Sequence, residues 1–201
     1  MLLINNLSFS RDGKIIFENL NLSLSKRSIT QIRGKNGSGK TTLLNLVLNF
    51  LESKTGEIFW EGKNINKNIF NFYNQTTFIM DHNTCTRKMT VLDNINFWSR
   101  LSSSKLTKDE IVLLLETFNI QKYHNTKTMY LSSGEIKKLE LLRLILEQKK
   151  LWILDEPYNH LDDLSIEILN QTFIDHVNKD GIILFTSHLN PIIDNLEVVD
   201  L

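Results

Sequence analysis

One glycine-rich stretch decides the fold, and it reads Gly34-Lys35-Asn36-Gly37-Ser38-Gly39-Lys40-Thr41-Thr42. It fits the spacing G-x-x-x-x-G-K-[ST] of a phosphate-binding loop. The β-branched run at 28–32 predicts a strand before it, and the apolar run at 43–51 predicts a helix after it. Glycines let the backbone curl so that successive N–H groups face an anion, and the helix dipole adds positive charge. The order of strand, loop and helix therefore predicts a nucleoside triphosphate site.

Two side chains of this loop have specific predicted roles. Lys40 is expected to reach the β- and γ-phosphate oxygens, and the Thr41 hydroxyl is expected to ligate Mg²⁺. The other predicted nucleotide ligands in the loop are Gly34, Asn36, Gly37, Ser38, Gly39 and Thr42. The alternative is a glycine-rich turn with an exposed lysine, which the flanking strand and helix disfavour.

The overall composition limits the classes of partner. The chain has 201 residues and equal numbers of basic and acidic side chains, 23 of each. This length suits one domain over 1–201, and zero net charge argues against broad binding to nucleic acid. A single cysteine, Cys85, excludes an internal disulfide and suits a reducing compartment. No apolar run approaches the roughly 18 residues of a membrane span, so we expect any work at a membrane to need a partner.

The order of predicted elements indicates an α/β fold. Short apolar runs on both sides of Asp12-Gly13 predict an N-terminal antiparallel sheet. Thr107 and Glu110 form a predicted capping box in a helix-rich stretch, and Asn190-Pro191 is predicted to open a short terminal helix. Further strands are predicted at 55–60, 76–80, 150–154 and 181–186, and further helices at 111–118, 131–148 and 164–177. Alternating strands and helices predict a mostly parallel core sheet, interrupted by a helical insertion at about 90–140.

A second motif is the apolar run 151–154 that ends in Asp155 and Glu156. The C-terminal end of a central parallel strand is where ligands bind, so Asp155 is expected beside the phosphate loop, holding Mg²⁺. Glu156 is a candidate catalytic base that accepts a proton from the attacking water. Two acids that merely cap a turn are the alternative.

Two weaker signals lie near the same predicted sheet edge. Ser132 is a good N-cap, and the amide-rich helix start around Gly134 can bind an anion, although an ordinary cap explains it equally well. His188 follows the predicted strand at 181–186 and can hydrogen-bond a γ-phosphate. A lone histidine is more often structural.

The order of these motifs resembles the ATP-binding-cassette (ABC) ATPase domain over nearly the whole chain. Gly34 to Thr41 is similar to its phosphate loop, and Leu131-Ser132-Ser133-Gly134-Glu135 is similar to its signature. Asn159-His160-Leu161-Asp162 stands where the family has its D-loop, and His188 matches its switch histidine. The resemblance implies a P-loop NTPase that binds ATP and Mg²⁺ and hydrolyses ATP, with the signature carried by the helical insertion.

The resemblance also implies a homodimer. Each ATP would lie between the phosphate loop of one chain and Ser132 and Gly134 of the other. Lys40, Glu156 and His188 are the catalytic residues that it implies within one chain.

The chain departs from the family pattern at three places. Ser133 and Glu135 stand where the signature usually has Gly and Gln. The Q-loop glutamine is missing, and His82 or Asn83 stands in its place. The aromatic residue that usually stacks on adenine is replaced by Arg11, whose guanidinium can also stack on a base.

One branch of the family resembles the chain more closely at 89–98, 131–144 and 151–157: the ATPase subunit of the haem exporter of cytochrome c maturation. This closer resemblance implies that the chain binds an integral membrane subunit. It also implies a peripheral location on the inner membrane, on the cytoplasmic face or the mitochondrial matrix face. Phe97 is then assigned to the core, and Trp98 to a partly exposed anchor for that partner. The alternative is the ATPase of another small exporter or lipoprotein-release system, and a translation-factor ATPase fits less well.

Overall fold

The computed structural model describes residues 1–53 and 55–201. The strands are β1 (Leu2–Arg11), β2 (Lys14–Leu24), β3 (Ser28–Arg33), β4 (Thr55–Trp60), β5 (Lys63–Asn64), β6 (Thr76–Ile79), β7 (Leu151–Leu154), β8 (Ile182–Thr186) and β9 (Leu196–Asp200). The helices are α1 (Lys40–Val47), α2 (Ile69–Asn74), α3 (Val91–Ser102), α4 (Lys108–Thr117), α5 (Ser133–Leu146) and α6 (Asp163–Asn178). The predicted α/β class is confirmed.

The N-terminal sheet is antiparallel, with strand order β2-β1-β4-β5. The hairpin between β1 and β2 turns at Asp12 and Gly13, which have φ values of 50° and 76°. Two consecutive residues with positive φ match the twist of the flanking strands, which explains the Asp-Gly sequence. Leu2 and Ile4 are fully buried and belong to the same core cluster as Leu43 of α1.

The second sheet is parallel, with strand order β6-β7-β8-β3-β9. Every residue of β7 and β8 is buried, as expected for strands covered on both faces. Because all the strand pairs are parallel, the C-terminal ends of β3, β7 and β8 meet at one edge. The phosphate loop, Asp155 and His188 follow these three ends directly.

The predicted helix at Asn190-Pro191 is wrong. The described residues between β8 and β9 contain no helix, and the chain instead forms β9 parallel to β3. The proline is a local helix signal, but the free edge of β3 offers backbone hydrogen bonds that the five-residue segment Leu196–Asp200 satisfies as a strand. An ion pair of 2.7 Å between Arg33 Nε and Asp200 Oδ1 joins the ends of the two strands.

Helices occupy most of the chain between β6 and β7, and a helical insertion that forms a unit of its own stays a prediction. The Thr107 capping box is confirmed: Thr107 Oγ1 accepts from the Glu110 backbone N–H at 3.3 Å, and Thr107 N donates to the Glu110 carboxylate at 2.7 Å. The helix begins at Lys108, three residues before the predicted start, because the first turn after the cap is already helical. No helix among the described residues has the length and apolar character that crossing a membrane requires.

The assignment of Phe97 to the core and Trp98 to the surface is also wrong. Trp98 is only 4% exposed, and the central carbon of the Arg143 guanidinium lies 5.5 Å from the centroid of the Trp98 ring. Phe97, in contrast, is 50% exposed. The buried residues of α3 are Val91, Asn94, Ile95 and Trp98. Their spacing of three and four residues defines one helix face, and Phe97 falls outside it.

Candidate nucleotide-binding site

The phosphate loop has the backbone that its glycines predict. Gly37 and Gly39 have φ values of 81° and 106°, a region that side chains rarely allow. A side chain at Gly39 would also collide with Ile16 of β2. Helix α1 begins immediately afterwards, with the Leu43 N–H donating to the Gly39 carbonyl at 2.8 Å. The free amides of the helix start are therefore presented beside the loop.

Lys40 lies inside this loop and is only 7% exposed. Its Nζ donates to the Gly34 carbonyl at 3.0 Å and lies 3.4 Å from His188 Nε2. A buried ammonium is costly unless an anion accompanies it, and the polar atoms nearest to it among the described residues are two loop carbonyls and a histidine nitrogen, not a carboxylate. The phosphate oxygens of a nucleotide would supply that anion.

The predicted metal ligands are in direct contact. Thr41 Oγ1 donates to Asp155 Oδ2 at 2.8 Å, and Asp155 is 2% exposed. A hydroxyl and one carboxylate are hard oxygen ligands, which fit Mg²⁺ because that ion usually takes few protein ligands and completes its shell with phosphates and water. The residues present therefore suit Mg²⁺.

Thr186, at the end of β8, is a residue of this site that sequence reasoning missed. It is fully buried, its Oγ1 donates to Asp155 Oδ1 at 2.6 Å, and the same oxygen accepts from the Glu156 N–H at 2.9 Å. The Thr186 hydroxyl thus orients the Asp155 carboxylate and fixes the backbone of Glu156. The sequence did signal its position, because Thr186 ends a predicted strand that leads to the same sheet edge as Glu156.

Glu156 is held in an uncommon conformation beside His188. Its φ of 45° lies in the left-handed region, which non-glycine residues occupy mainly where surrounding contacts impose it. The Glu156 carboxylate accepts from the His188 N–H at 3.2 Å, and its other oxygen is 3.4 Å from His188 Nε2. The candidate base and the candidate switch histidine therefore form one contact pair.

One cleft of about 840 Å³ is lined by the side chains that would act on a nucleotide, namely Lys40, Thr41, Asp155, Glu156 and His188. Its walls also include Arg11 at the end of β1, and Asn36 and Thr42 of the loop. His82 lines the cleft and Asn83 does not, so His82 is the residue at the Q-loop position that can face a nucleotide.

Four predicted ligands do not line this cleft: Gly34, Ser38, Ser132 and Gly134. Gly34 has a packing role instead, because a side chain there would meet the Ser38 hydroxyl and lie 2.8 Å from the Leu201 carbonyl. Ser132 and Gly134 are at the start of α5.

The start of α5 is tied to the predicted D-loop of the same chain. A Cβ on Gly134 would lie 2.7 Å from the His160 carbonyl, so only glycine allows this approach. Lys138 Nζ donates to Asp162 Oδ2 at 2.8 Å. This bond, with those from Ser165, holds the pKa of Asp162 well below its usual range.

Lys137 is a second buried cation that sequence reasoning did not identify. It is 7% exposed, and burial lowers the pKa of its ammonium although nearby carboxylates oppose this shift. Those carboxylates are Asp81, Glu140, Asp155 and Glu156. Lys137 therefore sits in the electrostatic field of the cleft, on the side of α5.

Comparisons with known proteins agree on the family. A family model described as ABC transporter matches residues 17–159. The cytochrome c biogenesis ATP-binding export protein CcmA of Aliivibrio fischeri is 33% identical, with 98% of this chain and 97% of that protein covered. The protein of the same name from Idiomarina loihiensis is 35% identical, with coverages of 90% and 83%. A solved structure of a putative ABC transporter ATP-binding protein from Pyrococcus furiosus is 26% identical, with a TM-score of 0.86 and coverages of 100% and 96%. With its phosphate loop, Asp155, Glu156 and His188 at one sheet edge, the chain belongs to the ABC transporter ATPases, in the group of the cytochrome c biogenesis ATP-binding export proteins.

Proposed function

We propose that this chain is the ATPase subunit of a membrane complex that exports or delivers haem for cytochrome c biogenesis. The proposed ATPase activity rests on one observation: His188 contacts both Lys40 and Glu156. These three residues lie beside the contact between Thr41 and Asp155. The proposed role in cytochrome c biogenesis is supported by relatives of nearly equal length whose names place them in that process.

The chain's own residues divide the work of hydrolysis. Lys40 exchanges its contacts with loop carbonyls for the β- and γ-phosphate oxygens. Thr41 and Asp155 would hold Mg²⁺, which neutralises charge on the phosphate oxygens when it is bound. Glu156 accepts the proton of the attacking water, a role that contributes roughly 10²–10⁴-fold in rate. His188 donates its backbone N–H to the Glu156 carboxylate and so fixes the direction of the base.

The signature completes a cleft in a second copy. Ser132 and Gly134 do not line the cleft of their own chain, and the helix start beside them can bind an anion. A head-to-tail homodimer would place each signature against the partner's γ-phosphate. Closure and reopening of such a dimer are conformational changes of the ATPase alone. A second protein is therefore needed to couple them to transport.

That second protein is proposed to be an integral membrane subunit at the inner membrane. Half-exposed Phe97 on α3 is the residue proposed to contact it, since exposed aromatic side chains are frequent anchors of protein interfaces. The chain would then be peripheral, on the cytoplasmic face or the matrix face.

The test is Glu156→Gln as the only copy in cells that make c-type cytochromes. Haem-stained gels of their membranes should show no holo-cytochrome c, while b-type cytochromes remain because haem synthesis is untouched. Wild-type protein expressed at the same level is the control. Intact c-type cytochromes together with a defect in another exported molecule would support a different small exporter or a lipoprotein-release system.

A further inference from the structure

A buried carboxylate on α5 holds the segment that follows the cleft. Glu140 is 2% exposed, and its Oε1 accepts from the backbone N–H groups of Thr84 and Cys85 at 2.6 and 2.7 Å. Its Oε2 accepts from Thr84 Oγ1 at 2.7 Å. Burying a charge in this way is favourable only when such donors are in place, so the side chain and the segment fix each other.

The same helix also holds the strand that precedes the cleft. Thr77 Oγ1 of β6 donates to Glu147 Oε2 at 2.8 Å. Arg143 joins the two attachments, with Nη1 3.0 Å from Thr84 Oγ1 and Nε 2.7 Å from Glu147 Oε1. Residues 80–82, which line the cleft, therefore lie between two points that are both fastened to α5.

We propose that Glu140 is a positioning residue that transmits occupancy of the nucleotide cleft at Asp81 and His82 to the start of α5, where the signature lies. The proposal rests on the proposed function, because it assumes that ATP occupies this cleft. A nucleotide that moves 80–82 must either stretch the Glu140 hydrogen bonds or carry α5 along. Since these bonds are short and buried, the helix is expected to move with the segment.

Lys137 strengthens the same link. It precedes Glu140 by three residues, so both side chains lie on one face of α5. Burial lowers the pKa of its ammonium, and the negative charges of Asp81, Glu140, Asp155 and Glu156 act on it in the opposite direction. A change of charge in the cleft therefore acts on the same part of the helix.

Three substitutions separate this role from simple stability. Glu140→Ala leaves the Thr84 and Cys85 N–H groups without their acceptor. Glu140→Gln keeps an oxygen for both N–H groups, and its amide can donate to the Thr84 hydroxyl. Leu141→Ala is the matched control, because Leu141 is fully buried in the next position of α5 and contributes only to the core.

Hydrogen exchange of the full chain, with and without a non-hydrolysable ATP analogue and Mg²⁺, provides the measurement. The protein is kept at a concentration at which light scattering shows a monomer, so that no partner's nucleotide touches the signature. In the wild type we expect the analogue to slow exchange in peptides that cover 80–86 and also in those that cover 132–139. Glu140→Ala should keep the first response and lose the second, whereas Glu140→Gln and Leu141→Ala should keep both.

The proposal is overturned if the wild-type signature peptides do not respond, if Glu140→Ala leaves their response intact, or if Leu141→Ala abolishes it equally. Should Glu140→Ala fail to fold, Thr84→Val replaces it; it removes the hydroxyl shared by Glu140 and Arg143 and should reduce the signature response. The cytochrome test under the proposed function does not depend on any of these outcomes, so the two can fail separately.

Discussion

Thr186 offers a sharp test of how the cleft is built, because a single buried hydroxyl supports both acids. Thr186→Val keeps the shape of the side chain but removes the donor to Asp155 Oδ1 and the acceptor for the Glu156 N–H. Thr186→Ser keeps the hydroxyl and loses only a methyl group. The pair therefore separates the hydrogen bonds from the packing.

The cost can be worked out from these two contacts. A hydrogen bond to a charged group contributes about 1.5–3 kcal/mol, and an N–H left without a partner at a buried position costs about 1–3 kcal/mol. The two effects share one atom and are not fully additive, so the valine variant should lose about 2–5 kcal/mol of unfolding free energy. The serine variant should lose about 1 kcal/mol, the cost of one buried methyl group.

Urea unfolding of the nucleotide-free protein measures this difference. Steady-state hydrolysis should also fall further in the valine variant, since Glu156 depends on this hydroxyl to hold its uncommon backbone conformation. Equal stability losses in the two variants would contradict the reasoning, because they would assign the effect to packing. So would a valine variant that hydrolyses ATP at the wild-type rate.

Three further predictions concern other parts of the molecule. Arg11→Ala should weaken ATP binding by about 1 kcal/mol or less and Arg11→Tyr should restore it, as calorimetry can check; unchanged affinity would rule out a stacking role for this exposed side chain. Phe97→Ala should release the membrane subunit in co-purification while changing stability by less than about 0.5 kcal/mol, whereas the control Phe70→Ala, at a more exposed phenylalanine of α2, should not release it. Burial lowers the pKa of His176 from 6.5 to about 4, so the unfolded chain binds the proton first and stability falls as the pH drops from about 6.5 towards 4. From pH 7 to pH 5 this amounts to about 2 kcal/mol, which His176→Phe should remove from urea-unfolding data.

The sequence could predict most of this architecture because its signals are local. The phosphate loop, the Asp12-Gly13 turn and the Thr107 capping box each depend on a few neighbouring residues whose conformational preferences are strong. The location of the nucleotide site could be predicted for a different reason. Parallel strands bring their C-terminal ends to one edge of the sheet regardless of the details of packing. The roles of the individual ligands, and the helical insertion as a separate unit, stay predictions.

What could not be predicted depends on partners that are distant in the sequence. β9 replaced the expected helix because the edge of β3, more than 150 residues earlier, offers free backbone groups. The Trp98 ring is covered in part by the Arg143 guanidinium, and the importance of Thr186 depends on Asp155. No local pattern encodes such contacts, so they emerge only once the elements are packed.

The signature glutamate shows how one such contact changes the meaning of a departure from the family pattern. By itself, a negative charge at Glu135 would oppose the binding of a partner's phosphate at the start of α5. Its carboxylate is instead turned back onto its own helix cap, where Ser132 N and Oγ donate to it at 2.8 and 2.9 Å. Although partial burial raises the pKa of Glu135, hydrogen bonds from Tyr123 and Ser132 outweigh it and lower the pKa overall. The charge is thus used to close the capping box, and the amide-rich backbone at Ser133 and Gly134 is left to meet an anion.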